Sequence, residues 1–257
     1  MVTDDTYVVI FSVHGMTASV LDVPSNIVLP ELLYRLSFPG RTGIQFVETA
    51  GKWDVHFAER LDFIHPSLLQ KMHKSPHWMP ARWYTPSWPR LKAFALPSLS
   101  DGCIRINLQG REARGMVPPA EYQAVCDELA DLLAGLCDAR TGQAMVADVI
   151  RTRRTPADED PLLPDADMVV LWQDRYVTDT VDSPQCGRIG PVPHWRSGNH
   201  RPRGFFLAKG PYIAANSTVP TGHVLDLAPT IRALMGAPLT DSFAGKPLVR
   251  LSQVDEP

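Results

Sequence analysis

Tyr7-Val8-Val9-Ile10-Phe11 is an unbroken apolar run that stops abruptly at Ser12-Val13-His14-Gly15-Met16. β-Branched and aromatic side chains without polar alternation suit a strand buried on both faces, as in a parallel sheet covered by helices. His14 then falls at the carboxyl end of that strand, where ligands bind in open α/β sheets. Gly15 leaves room beside it for a ligand or an ion to approach the backbone. Met168 to Trp172 and Phe205 to Ala208 are further runs of the same kind, the last ending at Gly210-Pro211.

Helical patterns lie between these runs. Pro30 to Leu36 reads as a short helix with proline in its first turn. From Pro118 to Cys137, Tyr122, Val125, Cys126, Leu129, Leu132, Leu133 and Leu136 recur at three- and four-residue steps and make one apolar stripe. Asp226 to Met235 is a third helix, with Asp226 as N-cap, Pro229 in the first turn and Gly236 as its stop. Cys103 to Leu108 alternates and reads as a strand with one wet face, and Ala147 to Thr152 is a further strand. Strands interleaved with helices predict a three-layer α/β fold, a mostly parallel sheet flanked by helices.

Residues 38–95 break this pattern and read as an inserted cap, rich in proline, histidine and tryptophan. His56, His65, His73 and His77 match no standard metal spacing, and Pro76 interrupts the helical face that His73 and His77 would share. Trp78, Trp83, Tyr84 and Trp88 are read as packing against the cap's own loops rather than lining a groove. Arg151, Arg153 and Arg154 precede an acidic loop and read as solvated or locally paired; Arg111 and Glu112 read as paired with each other or with the sheet.

Composition narrows the function classes. The chain has 257 residues, enough for one large domain or two modest ones, and its net charge of −3 offers no basic stripe for nucleic acid. No apolar run approaches the roughly 18 residues of a membrane span. The start carries acids before a short apolar run, unlike a secretory leader, so the cytoplasm is the default compartment. Cys103, Cys126, Cys137 and Cys186 form no CxxC pair and read as free thiols.

Two histidines stand out by context: His14 behind its strand, and His200 in the polar, glycine-bounded loop Arg196-Ser197-Gly198-Asn199-His200-Arg201-Pro202-Arg203-Gly204. Spacing alone does not decide whether they share a site. The order of segments adds information. Ser12-Val13-His14-Gly15-Met16 is followed by Gly198-Asn199-His200, then by Phe205 to Pro211. Asp226-Leu227-Ala228-Pro229-Thr230-Ile231 comes next, with Leu234-Met235-Gly236, and Phe243-Ala244-Gly245-Lys246-Pro247-Leu248 closes the series. This series resembles the C-terminal part of the alkaline phosphatase superfamily, nearest its type I phosphodiesterase and sulfatase-like branch, over nearly the whole chain.

The resemblance implies a metal-dependent hydrolase of phosphate mono- or diesters or of sulfate esters, acting on a small-molecule ester. It implies His14 and His200 as metal ligands, zinc being the expected ion with manganese or calcium as alternatives. Asn199 and Arg201 flank His200 and become candidates for binding substrate oxygens. In the family the residue before the first histidine is an aspartate ligand; here it is Val13, which coordinates nothing. The family's nucleophile and its further Asp and His ligands lie upstream of the matching segment, and no catalytic nucleophile is identified here. Three organisations remain open: part of a longer or split protein completed by an N-terminal half, a non-catalytic binding or assembly module holding one ion or none, or a rebuilt site.

Overall fold

The computed structural model describes residues 2–49, 52–57, 80–158, 160–192 and 197–249. His65, His73, His77 and Trp78 lie outside the described residues, as do residues 50–51 and 58–79 of the stretch read as a cap insertion. The chain forms two compact units, a smaller one from Met1–Thr17 and His200–Pro257 and a larger one from Ala18–Asn199.

The smaller unit carries β1 (Val8–Ser12), most of β2 (Gly15–Ala18), the end of β12 (Gly198–Arg201), β13 (Phe205–Lys209) and a helix at Leu227–Leu234. The larger unit opens with a π-helical turn at Pro24–Val28 that runs into α1 (Leu29–Ser37). The hairpin β3 (Ile44–Thr49) and β4 (Lys52–Phe57) comes next, then a 3-10 helix at Pro80–Arg90. β5 (Ala93–Leu96) and β6 (Gly102–Ile106) precede α2 (Tyr122–Ala134). β7 (Cys137–Asp138), β8 (Val146–Arg151), β9 (Met168–Trp172), β10 (Val181–Ser183) and β11 (Gly187–Ile189) complete it. The Leu227–Leu234 helix is therefore α3.

The three-layer, mostly parallel sheet flanked by helices does not form. The sheets are small: β5-β6-β9-β8, β11-β10-β7, and the pairs β1-β13, β2-β12 and β3-β4. The first two sheets and the β1-β13 and β3-β4 pairs are antiparallel throughout. Two physical reasons explain the correction. Antiparallel neighbours need no crossover helix, and a chain this rich in proline offers few helices for crossovers. An apolar run also encodes burial without encoding the direction of its partner. β9, read as buried on both faces, in fact alternates: Met168, Val170 and Trp172 face the core, while Val169 and Leu171 are half-exposed.

Strand period and helix period meet in one core in the larger unit. Ile104 and Ile106 of β6 and Met168 and Val170 of β9 are wholly buried, with Ile104 opposite Met168 in the ladder. α2 buries Tyr122, Val125, Cys126, Leu129, Leu132 and Leu133, the stripe read from the sequence. Each such side chain contributes about 1.5–3 kcal/mol relative to exposure. Tyr84 and Leu91 belong to the same core cluster as Leu29, Leu32 and Leu33 of α1.

Asp138 fastens the turn after β7. Its carboxylate accepts from Arg140 N at 3.1 Å, Thr141 N at 2.8 Å, Thr141 Oγ1 at 2.9 Å and Thr178 Oγ1 at 2.5 Å. Burial opposes its ionised form, but these donors outweigh burial and hold the carboxyl below the usual carboxylate range. A depressed carboxyl stabilises the fold above the unfolded-state value near 4 and loses that share as pH falls through the folded value. Asp138→Asn is expected to cost about 2 kcal/mol at neutral pH. It should also flatten the acid limb below about pH 4, which urea midpoints at neutral and acid pH will read. An acid limb as steep as that of the wild type would sink the assignment.

Candidate functional site

β1 and β13 bring the two ends of the sequence together in the smaller unit. They pair antiparallel, with Ile10 opposite Leu207 and Ser12 opposite Phe205. Close backbone approach continues past the strand ends. A Cβ on Gly204 would lie 1.8 Å from the Ser12 carbonyl oxygen, and one on Gly15 would lie 2.4 Å from the Arg203 carbonyl oxygen. The open side of Gly15 is thus filled by backbone, so the space expected beside it for a ligand is taken. Ser12 Oγ donates to the His14 carbonyl at 2.6 Å and fixes the bend that follows β1.

The bend carries His14 to His200. Their ring centroids are 4.1 Å apart with the planes inclined at 58°, and both side chains reach solvent. Spacing did not settle this juxtaposition; antiparallel pairing of β1 with β13 supplies it. In a parallel arrangement His14 would end one strand and His200 would begin another at the opposite edge.

The two neighbours of His200 part company. Asn199, in the larger unit, is buried; its Nδ2 donates to Asp22 Oδ1 at 3.0 Å and to the Leu99 carbonyl at 2.5 Å. That amide is a structural strut, so Asn199 is unsuited to the substrate-binding role expected of it. Arg201 is half-buried in the smaller unit. Val13 is exposed beside His14 and offers no ligand.

Among the described residues, no group of three or more His, Cys, Asp or Glu side chains is placed to hold a metal ion. A zinc ion takes four ligands, three of them from protein even in open catalytic sites. Two imidazoles sharing a tetrahedral ion hold their centroids roughly 5 Å apart, so the observed pair needs only a small spread to fit one. The donor set fits half of such a site.

Other chemistry-bearing residues are structural. Glu31 on α1 is fully buried and accepts from Arg35 Nε at 2.7 Å, from Gly43 N at 3.1 Å and from the Tyr84 hydroxyl. Burial raises its carboxyl above the usual range despite these partners, and raises the Tyr84 phenol well above its own. Arg35 Nη1 also donates to the Cys186 and Arg188 carbonyls at 3.2 and 2.7 Å. The adjoining cleft of 350 Å³ is lined by Arg35, Arg41, Thr42 and Cys186 among others. All four cysteines are free thiols, and burial pushes Cys126 up to about 11, so it is unreactive at neutral pH. Among the described residues no helix is long and apolar enough to cross a membrane.

No protein-family model, no curated protein and no solved structure matches this chain.

Proposed function

We propose that the chain supplies part of a divalent-metal site for hydrolysing a phosphate or sulfate ester, with His14 and His200 as two ligands. The observation that carries this reading is the 4.1 Å approach of two solvent-facing imidazoles from residues 186 positions apart in sequence. Because Val13 stands where a carboxylate would secure a separate ion for His14, both rings serve one ion. Imidazole nitrogen favours zinc over manganese or calcium, which prefer oxygen.

When bound, a divalent ion supplies Lewis-acid polarisation of the ester oxygens. The chain's own residues have narrower tasks. His14 and His200 hold the ion through neutral ring nitrogens, and Arg201 offers a guanidinium fork to the oxyanion. In this reading a completing segment supplies the further ligands and the nucleophile, so ester turnover needs that segment while ion binding does not. The same half-site also serves the non-catalytic reading, which Val13 favours, and turnover separates the two.

Cobalt(II) provides the test, since its visible absorption reports nitrogen ligation in a zinc-type site. Titration of the purified chain should give one ion per imidazole pair, and His14→Ala or His200→Ala should weaken binding by about tenfold or more. Equal binding by all three proteins would overturn the site. Aryl phosphate, phosphodiester and sulfate esters, assayed with metal beside His200→Ala, test the chemistry. Turnover that vanishes in the variant establishes a hydrolase complete in this chain; bound metal without turnover calls for the completing segment or the binding module.

A further inference from the structure

A cleft in the larger unit is walled by the turn that follows α1 and by the turn between β10 and β11. Phe38-Pro39-Gly40-Arg41 makes the first turn, with Arg41 N donating to the Phe38 carbonyl at 3.0 Å and Gly40 at φ +78°. Proline second and a left-handed glycine third suit a type II turn. Pro184-Gln185-Cys186 makes the second, where Cys186 N donates to Ser183 Oγ at 3.1 Å. Arg35, at the end of α1, reaches across to it. Its Nε donates to Glu31 at 2.7 Å, and its Nη1 to the Cys186 and Arg188 carbonyls at 3.2 and 2.7 Å. The Arg35 side chain is only 11% exposed, yet among the described residues its Nη2 has no acceptor. A guanidinium so confined has given up most of its water, and an unused N–H group on it is a donor ready for a ligand.

We propose that this cleft binds a tetrahedral oxyanion, the phosphate group of a small phosphate ester, with Arg35 Nη2 as its charged anchor. Its volume of 350 Å³ lies at the lower end of the range for ligand clefts, about 300–1,000 Å³, and fits a phosphate carrying one small organic group. The lining includes Arg35, Gly40, Arg41, Thr42, Gln185 and Cys186, and it holds no carboxylate. The acids on the two walls are engaged. Glu31 accepts from Arg35, Gly43 N and the Tyr84 hydroxyl, and Asp182 accepts from Nε and Nη2 of Arg188, both at 2.8 Å. An entering anion therefore meets no negative charge on the lining. Phosphate is favoured over carboxylate by what Arg35 has left. A bidentate grip on a carboxylate takes two guanidinium nitrogens, and two of the three are already spent. Nη2 alone gives an end-on contact, so further donors must come from elsewhere. Thr42 and Gln185 offer a hydroxyl and an amide on the two walls, neither with a hydrogen-bond partner among the described residues. Donors on two walls suit an anion whose oxygens point in several directions.

The cleft shares no residue with the histidine pair, so either proposal can fail alone. Titration of the purified chain with inorganic phosphate at constant ionic strength, followed by nitrogen–proton NMR, provides the test. The Gln185 side-chain amide and the backbone amides of Gly40, Arg41 and Thr42 should shift together and saturate, with a Kd of about 1 mM or tighter. Glycerol phosphate should bind at least as tightly, and acetate about tenfold more weakly. Gln185 is exposed, so its variants keep the fold. Gln185→Glu should weaken phosphate binding by about tenfold or more, and Gln185→Lys should tighten it. Arg35→Lys keeps a cation beside Glu31 but removes Nη2, and should abolish saturation in a protein that urea unfolding shows to be folded. Where that variant does not fold, the two Gln185 variants decide. Arg154→Ala, exposed on the loop after β8, should leave the affinity unchanged. No saturable shift by about 10 mM phosphate would overturn the proposal. So would equal affinity in the wild type and Gln185→Glu, or saturation that survives in folded Arg35→Lys. Acetate binding as tightly as phosphate would overturn the choice of a tetrahedral anion.

Discussion

Asp167→Ala is expected to cost the larger unit about 3–5 kcal/mol. Asp167 lies just before β9 and is fully buried. Its Oδ1 accepts from Arg111 Nη1 at 2.7 Å and from the Tyr122 hydroxyl at 3.0 Å. Oδ2 accepts from Arg111 Nη2 at 2.6 Å and from Ile106 N at 2.7 Å. One carboxylate thus joins β6, the start of α2 and the turn that holds Arg111. An exposed ion pair contributes about 0–1 kcal/mol. Here removal leaves a half-buried guanidinium, a buried phenol and a backbone amide without their acceptor, and each forfeits solvation with no return. Burial first, then the carboxylate, raises the Tyr122 phenol above its usual range, so at neutral pH that hydroxyl is a donor. Arg111→Ala should cost less, because the carboxylate keeps the Tyr122 hydroxyl and Ile106 N as donors and the Arg153 guanidinium 3.8 Å away. The double variant should fall well short of the sum, since one pair is lost in both. Urea unfolding of the four proteins measures this; a loss under about 1 kcal/mol for Asp167→Ala would show the network to be slack.

Particular residues show why the sequence reveals some of this and conceals the rest. α2 is legible because its apolar positions repeat at helical spacing with acids facing away, and that pattern depends on the helix alone. α3 is legible from its end signals, Asp226 and Pro229 at its start and Gly236, at φ +66°, at its stop. β6 shows its alternation because one face is wet. Sheet direction is hidden, because β1 pairs with a strand nearly two hundred residues away and nothing in either run records polarity. Asp167 is hidden too: it closes an acidic loop in which nothing marks one carboxylate for burial, yet Arg111 reaches it from 56 residues away. Glu31 lies on a helix whose sequence gives no sign that Gly43 and Tyr84 will converge on its carboxylate. The pairing of His14 with His200 needs the β1-β13 register, so its two members are legible as candidates and their contact is not. Asn199 shows the converse: its neighbours suggest ligand chemistry, while burial assigns it to the Asp22 carboxylate and the Leu99 carbonyl.

Gly204→Ala is expected to separate the two histidines without unfolding the larger unit. The added Cβ would lie 1.8 Å from Ser12 O, 2.7 Å from Ser12 C and 3.0 Å from His14 N. All three are backbone atoms, so no rotamer change relieves the contact, and the strands must part by roughly 1 Å or more at a cost of about 3 kcal/mol. The displacement falls on the last β1-β13 pair, Ser12 with Phe205, and on the bend that Ser12 Oγ fixes through the His14 carbonyl. Two readouts follow, and only one involves metal. Nuclear Overhauser contacts between the His14 and His200 ring protons, expected at a centroid distance of 4.1 Å, should weaken or vanish. Cobalt(II) affinity should fall by about tenfold or more, since ligands misplaced by an ångström no longer converge on one ion. Urea unfolding of the larger unit should be unchanged, its core being built from residues 20–192. Retained ring contacts would mean that the strands absorb the methyl group elsewhere. Lost contacts with undiminished affinity would mean that the ion does not need both imidazoles, and the proposed site would fall while the strand geometry stood.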